Sequence, residues 1–423
     1  MNSLRPKVLY RPVTLGFCGA ALFLFSALSF AEGTASSNWL DNYFESTLFE
    51  LRGYTDFYHK KQSEDLWNGQ YAGGLRLKVE NHYSLSDYWS LNSSLRLQLE
   101  HPNYRKGVFP GPDSSEPESP YADFQVLNLF WEGEENAFLA GKEVLKLGFS
   151  HLYSPVDRFH TIDWTIPEHN EPNGDFQLSF FHYLEEDTIQ ITAFPYGQQD
   201  FRKTGSSGQK LTPEPDRDKD PAALILYDAV RQGFDFYLGG HYGSGAYPII
   251  DTSSGTQAVV LPLSATVLGG VIATHNGWTL FADGLFQHSI DKEDENFARF
   301  SMGGSYATDI GELLNIESFT PTLTYCFEEV TQQARSATVA SSKNQRINAN
   351  NLLSEFRFRI DSDFFVTVGD NYSFDNKLHQ FAVGGGYSVT DSITLALANT
   401  FTADNTPENA SGGYTSLSIS LRF

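Results

Sequence analysis

Apolar and polar residues alternate along many short segments of the chain, most clearly in the last one. In segment 413–423, apolar residues occupy every second position and mostly serines stand between them. Because successive side chains of a strand point to opposite faces, this segment has one apolar and one polar face. Segments 49–58, 75–80 and 95–100 show the same pattern. The alternation therefore predicts two-faced β-strands from one end of the chain to the other.

The same pattern, followed along the whole chain, predicts about eighteen strands. Sixteen is the alternative count, since several segments alternate weakly. Most have about the length that a strand needs to cross a membrane. The predicted strands are 49–58, 75–80, 95–100, 122–132, 137–143, 175–184, 187–195, 222–231, 233–243, 263–274, 277–288, 297–307, 313–328, 349–360, 363–371, 377–388, 391–402 and 413–423.

Connections between the predicted strands differ in length on the two edges of the sheet. Short joins follow even-numbered strands, at 85–87, 133–135, 185–187, 232, 275–277, 361–362 and 390–391. Joins after odd-numbered strands are mostly long, at 102–122, 143–174, 196–221, 243–263 and 329–349. A soluble sandwich has no reason to sort its loops in this way, whereas a membrane barrel does. We predict an all-β fold, a closed antiparallel transmembrane β-barrel.

The end of the chain resembles a known signature. A last strand with one apolar face that ends in Phe423 resembles the terminal strand of bacterial outer-membrane β-barrels. This resemblance implies a cell outer membrane location and insertion by the barrel-assembly machinery through that strand. Aromatic residues beside the short turns suggest a girdle at the periplasmic interface, although aromatics at strand ends occur in any β-protein. They are Tyr83, Trp89, Trp131, Trp278, Tyr306 and Tyr387.

The first residues have the features of an export signal. Arg5, Lys7 and Arg11 precede an apolar run that ends in small residues at Ala31. This order predicts a signal peptide at 1–31, with an uncleaved membrane anchor as the alternative. A periplasmic lead-in would follow at 32–46, and the barrel would occupy 47–423.

Charge and composition restrict the partners of the mature chain. Cleavage after Ala31 leaves 26 basic and 52 acidic residues, a net charge of −26. Such a charge argues against binding nucleic acid through a basic patch. Cys326 would be the one remaining cysteine, a filler on a strand. The expected partners are the lipid bilayer and lipopolysaccharide, without cofactor or metal, and the sequence leaves open whether the chain forms homo-oligomers.

Polar strand faces must line the interior if lipid surrounds the barrel. About eighteen strands enclose a space too wide for side chains to fill, so water enters. Arg52, Arg76 and Arg96 are expected side by side across the first three strands, with Lys78 one step away. They form either a cationic track that orients solutes or a ladder of ion pairs that stiffens the wall. The predicted pore-lining residues are Arg52, Arg76, Lys78, Arg96, Glu50, Glu80, Glu100, Arg357 and Arg359.

The longest join, 143–174, differs from the other loops in its motif. A Gly-Lys-Glu strand end at 141–143, Gly148 and a Ser-Pro-x-Asp turn at 154–157 resemble a segment of porin-like families, including alginate-export-like barrels. The resemblance implies that the segment folds inward and narrows the lumen. An outer cap or an Ω-loop is the alternative, but the apolar content favours inward folding. The predicted constriction residues are Asp157, Arg158, His160 and Asp163.

Two other loops are strongly acidic. Residues 213–221 and 291–295 carry most of their charge as carboxylates. Neither has the spacing of an EF-hand, so solvated loops are expected, with cation bridges to lipopolysaccharide phosphates as the alternative.

Sequence signatures of enzymes are largely missing. The chain has no Gly-x-Ser-x-Gly, His-Glu-x-x-His or phosphate-binding loop. His82 and Ser84 share a strand face, as a barrel lipase requires, but lack a recognisable third partner. We therefore predict a non-enzymatic outer-membrane channel for the passive, selective passage of small polar or anionic solutes. The alternatives are an export conduit for an anionic polysaccharide, a barrel-embedded hydrolase and a structural sheath for a periplasmic partner.

Overall fold

Eighteen antiparallel strands form the wall of a closed barrel within the compact unit Thr47–Phe423. The computed structural model describes residues 46–58, 71–101, 107–108, 121–159, 161–162, 172–195, 212–213, 221–244, 249–251, 258–260, 263–290, 294–309, 316–332, 348–404 and 413–422. The barrel strands are β1 Thr47–Tyr58, β2 Tyr71–Ser84, β3 Trp89–His101, β4 Tyr121–Glu132, β5 Asn136–Glu143, β6 Asp175–Leu184, β7 Asp187–Phe194, β8 Ala222–Arg231, β9 Phe234–Ser244, β10 Leu263–His275, β11 Trp278–Ser289, β12 Asn296–Tyr306, β13 Ser318–Gln332, β14 Asn350–Arg359, β15 Phe364–Ser373, β16 Leu378–Thr390, β17 Ile393–Asp404 and β18 Gly413–Arg422. Short strands between them are Gly107–Val108, Thr161–Ile162, Pro172–Asn173, Thr212–Pro213, Ile249–Asp251 and Ala258–Val260.

Each barrel strand pairs with its neighbours in the sequence, and the last pairs with the first. Arg422 of β18 lies opposite Glu50 of β1, and Ser418 lies opposite Tyr54. The sheet therefore has no free edge whose backbone groups would face lipid. The predicted fold class is confirmed, with the larger of the two expected strand counts. Within the described residues, no helix is long and apolar enough to cross a membrane.

Strand alternation separates an outer from an inner face. Val267 on β10 is 59% exposed, whereas its neighbours Thr266 and Leu268 are 2% and 1% exposed. The cross-strand register carries this parity from strand to strand around the wall, so Val267 marks the lipid side and Thr266 the interior. The outer face is apolar, as a bilayer requires.

Short turns on one edge use residues that tolerate left-handed backbone. Asn276 and Gly277 join β10 to β11 with φ of 49° and 81°, the arrangement of a tight hairpin turn. The sorting of loops by edge holds with two exceptions. Residues 307–317 form a longer join on the short-turn edge, and residues 374–377 form a short one on the opposite edge.

The predicted bounds of β13 are wrong by several residues. The alternating pattern predicts the strand at 313–328. The strand instead runs from Ser318 to Gln332. It continues beyond residue 328 because its backbone still pairs with β12, with Val330 opposite Phe297. The inward carboxylate of Glu328 lies 3.0 Å from the Arg299 guanidinium of β12. A charged side chain thus ends the apolar pattern without ending the strand.

Aromatic side chains line the outer wall at both rims. On the short-turn edge, Trp89 lies opposite Trp131, and the rings of Trp278 and Tyr306 are 4.6 Å apart. A second group, not anticipated from the sequence, faces outward near the other ends of β13 to β16. Ring contacts of 4.5 to 6.1 Å connect its members, Tyr325, Tyr372, Phe374, His379 and Phe381. Two belts of rings suit the two interfaces of a bilayer.

Adjacent residues of β17 test the assignment of the two faces. We expect Leu397→Arg, which puts a charge on the exposed apolar side, to lower the unfolding free energy by about 2–4 kcal/mol. Ala398→Arg points into the interior and should change it little. Urea unfolding of both variants in lipid vesicles measures the difference, and equal losses would contradict the assignment.

Candidate functional site

The segment 144–159, which follows β5, lies against the inner face of the barrel. Its residues contact inward side chains of β7, β9, β11 and β12, including Phe194, Tyr237, Asp283 and Arg299. Six of the strands, β7 to β12, are therefore covered from inside by one piece of chain. The described part of this join occupies the interior rather than the outer rim.

A small apolar core holds the segment in place. Val156 and Phe159 are buried against Leu224, Leu268 and other inward residues of the wall. The Phe159 ring lies 6.3 Å from that of Phe194 and 5.2 Å from that of His241. This part of the wall corrects the expectation of polar inner faces throughout. Apolar residues are stable there because the segment, not water, covers them.

Asp283 of β11 clamps the backbone of the segment. Its carboxylate accepts hydrogen bonds from the amides of Phe149 at 3.0 Å and Ser150 at 2.9 Å. The Tyr237 hydroxyl donates a third bond at 2.8 Å. Asp283 is only 2% exposed, so these donors replace the water that a carboxylate needs. Charge-assisted bonds of this kind are about twice as strong as neutral ones.

Gly148 and Asp157 shape the segment from within. Gly148 has a φ of +105°, and a Cβ built there would lie 2.1 Å from Ser154 Oγ. The Asp157 carboxylate accepts the Leu147 amide at 3.2 Å, across ten residues of chain. The predicted constriction residue Asp157 therefore closes the loop on itself.

Arg158, another predicted constriction residue, is buried rather than open to the lumen. Its guanidinium donates to Gln287 Oε1 at 2.8 Å, and Gln287 in turn donates to the Asp294 carboxylate at 3.0 Å. This network attaches the segment to β11 and to the join after it. His160 and Asp163, the other two predicted residues, lie outside the described residues.

The acidic join 290–295 is not simply a solvated loop. Asp294 and Glu295 are buried, which corrects the expectation for these two residues. Asp294 accepts the Glu295 amide at 2.7 Å and the Gln287 amide, while its own amide donates to Ser289 at 3.2 Å. Local donors thus stabilise the carboxylate without solvent. Residues 291–293 and 214–220 lie outside the described residues.

Register corrects the expected row of three arginines. Arg52 lies opposite Arg76, but Gln98 occupies the next position, and Arg96 lies opposite Lys78. Arg76 donates to Gln98 Oε1 at 3.2 Å. The turn at 85–88 sets this stagger, since a hairpin's loop fixes which residues pair. The four basic residues form two adjacent rungs instead of one row.

Ion pairs accompany this basic wall. Arg96 lies opposite Asp123 of β4, whose carboxylate is 2.9 Å from Lys142 Nζ. Lys78 lies 2.8 Å from Glu80, and Arg422 lies 2.9 Å from Glu50. Arg76 and Arg96 are only 4% and 1% exposed although they face inward. Two of these pairs, Lys142–Asp123 and Arg422–Glu50, join neighbouring strands, whereas Lys78–Glu80 lies within β2. The side chain of Glu100 is outside the described residues.

Arg357 and Arg359 of β14 face the interior and are exposed. Their strand neighbour Glu355 is inward as well. The Arg357 guanidinium lies 4.9 Å from the centre of the Phe365 ring of β15, within the range of a cation–π contact. The two arginines therefore present positive charge to solvent inside the barrel.

The residues proposed for hydrolase chemistry are part of a wall network. His82 Nδ1 lies 2.5 Å from Asn92 Oδ1, and Asn92 donates to Asn128 Oδ1 at 2.9 Å. Ser84 lies opposite Ser90 at the periplasmic turn. In the part of the chain that the structure describes, no group of three or more metal-ligating side chains comes together.

Comparison with solved structures identifies the architecture. Pseudomonas aeruginosa OccK8 (OprE) matches with a TM-score of 0.53 and 11% identity, over 89% of this chain and 97% of that chain. A BenF-like porin from Pseudomonas fluorescens Pf-5 matches with a TM-score of 0.52 and 10% identity, over 89% and 98%. The chain has the porin fold. Pseudomonas aeruginosa OpdK with vanillate matches with a TM-score of 0.50 and 13% identity, over 90% and 99%.

An apolar outer face on a closed barrel suits a membrane, and the fold is that of the outer-membrane porins above. No protein-family profile matches the sequence, and no curated protein matches it. The likeness is therefore one of fold, and the chemistry of the interior has to be derived from this chain's own residues.

Removal of the Asp283 carboxylate should release the segment. In Asp283→Ala, we expect the amides of Phe149 and Ser150 to exchange hydrogen at least about tenfold faster, the equivalent of one charge-assisted bond. Hydrogen exchange of the folded barrel, followed by mass spectrometry, measures this. Asp235→Ala on β9 removes another inward carboxylate and serves as the control. Unchanged exchange in Asp283→Ala would show that the apolar contacts hold the segment alone.

A methyl group at Gly148 should have a similar effect through sterics. Gly148→Ala combines left-handed strain with a clash against Ser154, and we expect it to destabilise the segment by about 1–3 kcal/mol. Gly233→Ala is the matched control, because its φ is +91° but nothing lies within 4 Å of the added atom. Faster exchange at 147–151 only in the Gly148 variant is the expected result.

Proposed function

We propose that the protein is an outer-membrane channel for the passive and selective passage of small anionic solutes, with no chemical step. The observation that carries the proposal is the interior itself. A segment held against one third of the wall narrows the space, while basic residues on other strands remain open to water. A narrowed, charged passage through a porin fold is the arrangement that selects solutes by size and charge.

Positive charge inside the barrel supports the choice of anions. The whole chain is strongly acidic, so its interior arginines are not a consequence of overall composition. Lys78, Arg357 and Arg359 face inward and are at least partly accessible to solvent. Positively charged side chains that remain hydrated along a passage attract dissolved anions and repel dissolved cations.

The segment 144–159 supplies the selectivity for size in this proposal. Its anchors, Asp283 and the buried Arg158, keep the narrowing at a fixed place. The predicted site residues divide accordingly between two roles: Asp157 and Arg158 hold the constriction, and the exposed cations Lys78, Arg357 and Arg359 act on charge.

Planar bilayer recordings test the channel directly. We expect single-channel current steps, and a reversal potential under a potassium chloride gradient that shows preference for chloride. Asp283→Ala should give a larger and noisier conductance, because the constriction is loosened. Heat-unfolded protein in the same detergent is the control. Absence of steps from folded protein, or preference for potassium, would reject the proposal.

A further inference from the structure

The interior surface is covered unevenly. On β7 to β12, the segment 144–159 buries inward residues such as Leu224, Thr266 and Leu268. On β2 to β4, the inward residues Arg96 and Asn128 are also buried. These two parts of the wall therefore offer a passing solute little side-chain surface apart from Lys78, Glu80 and His82 of β2, which are at least partly exposed.

The wall formed by β14 to β17 is different. Ala382 of β16 lies opposite Gly369, which lies opposite the inward residue Glu355 of β14. Ala398 of β17 lies opposite Gly384, two residues along β16 from Ala382. Both alanines therefore occupy inward positions. Both alanines are exposed, as are the longer inward side chains of Arg357 and Arg359. On β16, Phe381 and Val383 on the lipid face are exposed too, so both sides of this strand meet solvent or lipid rather than protein. Open space therefore lies against this wall.

Positive charge on the same wall is concentrated at one end, where β14 meets the turn to β15. The inward positions of β14 to β17 hold two arginines and two carboxylates: Glu355 on the strand of the arginines, and Asp404 at the opposite end of β17, across from Leu378. The Phe365 ring packs against Arg357 and limits where its guanidinium can lie. An exposed guanidinium acts on a solute through water, whereas one buried in an ion pair has its field largely neutralised by its partner.

We infer that solutes pass off the barrel axis, along the inner wall of β14 to β17, and that Arg357 and Arg359 determine the ion selectivity of this route. The inference rests on the proposed channel function and adds the position of the route within it. Arg76 and Arg96, the more conspicuous cations in the sequence, then act as parts of the wall.

Cysteine accessibility locates the route. Cys326 is buried, so a Cys326→Ser background gives a protein whose barrel lacks other thiols. Ala382→Cys and Ala398→Cys are made in this background, and a membrane-impermeant, negatively charged methanethiosulfonate is added during bilayer recording. We expect the current through both variants to fall by about half or more, because an anionic group now lies in the passage.

Two matched variants complete the experiment. Leu397→Cys puts the thiol on the lipid face one residue away, and Thr266→Cys puts it on the inner wall beneath the segment; neither should respond. Conducting Ala382→Cys and Ala398→Cys channels that the reagent leaves unchanged would overturn the inferred route while leaving the channel function intact. Absence of conductance from the unmodified protein would instead reject the channel function.

Charge removal tests the second part of the inference. In Arg357→Gln/Arg359→Gln, we expect the chloride-to-potassium permeability ratio to fall about threefold, since two exposed cations leave the passage. Arg231→Gln removes a cation from the outer face at the rim, where it bonds Asp187, and should leave the ratio unchanged. An unaltered ratio in the double variant would refute the role of these arginines.

Discussion

Closure of the backbone hydrogen-bond ladder is the constraint on which the rest of this structure depends. No water is available inside a bilayer, so each strand must bond its neighbours on both sides. The pairing of β1 with β18, with Gly53 opposite Ile419, completes that ladder. Once the ladder is closed, alternation assigns every side chain to lipid or to the interior. Eighteen strands then enclose more space than their own side chains fill, so other parts of the chain or water must occupy the interior.

The segment 144–159 occupies part of that interior, and two kinds of interaction attach it to the wall. Apolar burial around Val156 and Phe159 is strong but not directional, and it holds the segment to the wall without fixing its register. Asp283 provides the direction, because a carboxylate 2% exposed requires donors at defined positions. Two consecutive backbone amides and the Tyr237 hydroxyl meet that requirement. Burial of the Asp283 carboxylate therefore costs little free energy, and its hydrogen bonds fix the position of the segment along the wall.

The architecture was predictable from the sequence because it follows from local rules. A period of two and the lengths of the joins identify strands and edges without reference to distant residues. Features that depend on non-local pairing were not predictable to the same degree. Gln98, not Arg96, lies opposite Arg76 because the register of one hairpin decides it. Asp283 lies 134 residues from the amide of Phe149, and only its inward position on a strand of mixed polarity marked it. Asp294 and Glu295 are buried for a related reason: their donors come from a fold that the acidic pattern does not reveal.

Charged side chains inside the barrel have two roles, and the extent of their burial decides which role each one has. Arg299 and Glu328 are both almost fully covered, and their mutual distance of 3.0 Å confines their field to the wall. Such a pair fixes the spacing of strands, since separation would leave a buried charge without a partner. Arg357 and Arg359 are exposed, retain hydration and project their field into the lumen. Counting basic residues on inward positions therefore overstates the charge that a solute meets. In the proposed channel, selectivity depends on the exposed subset.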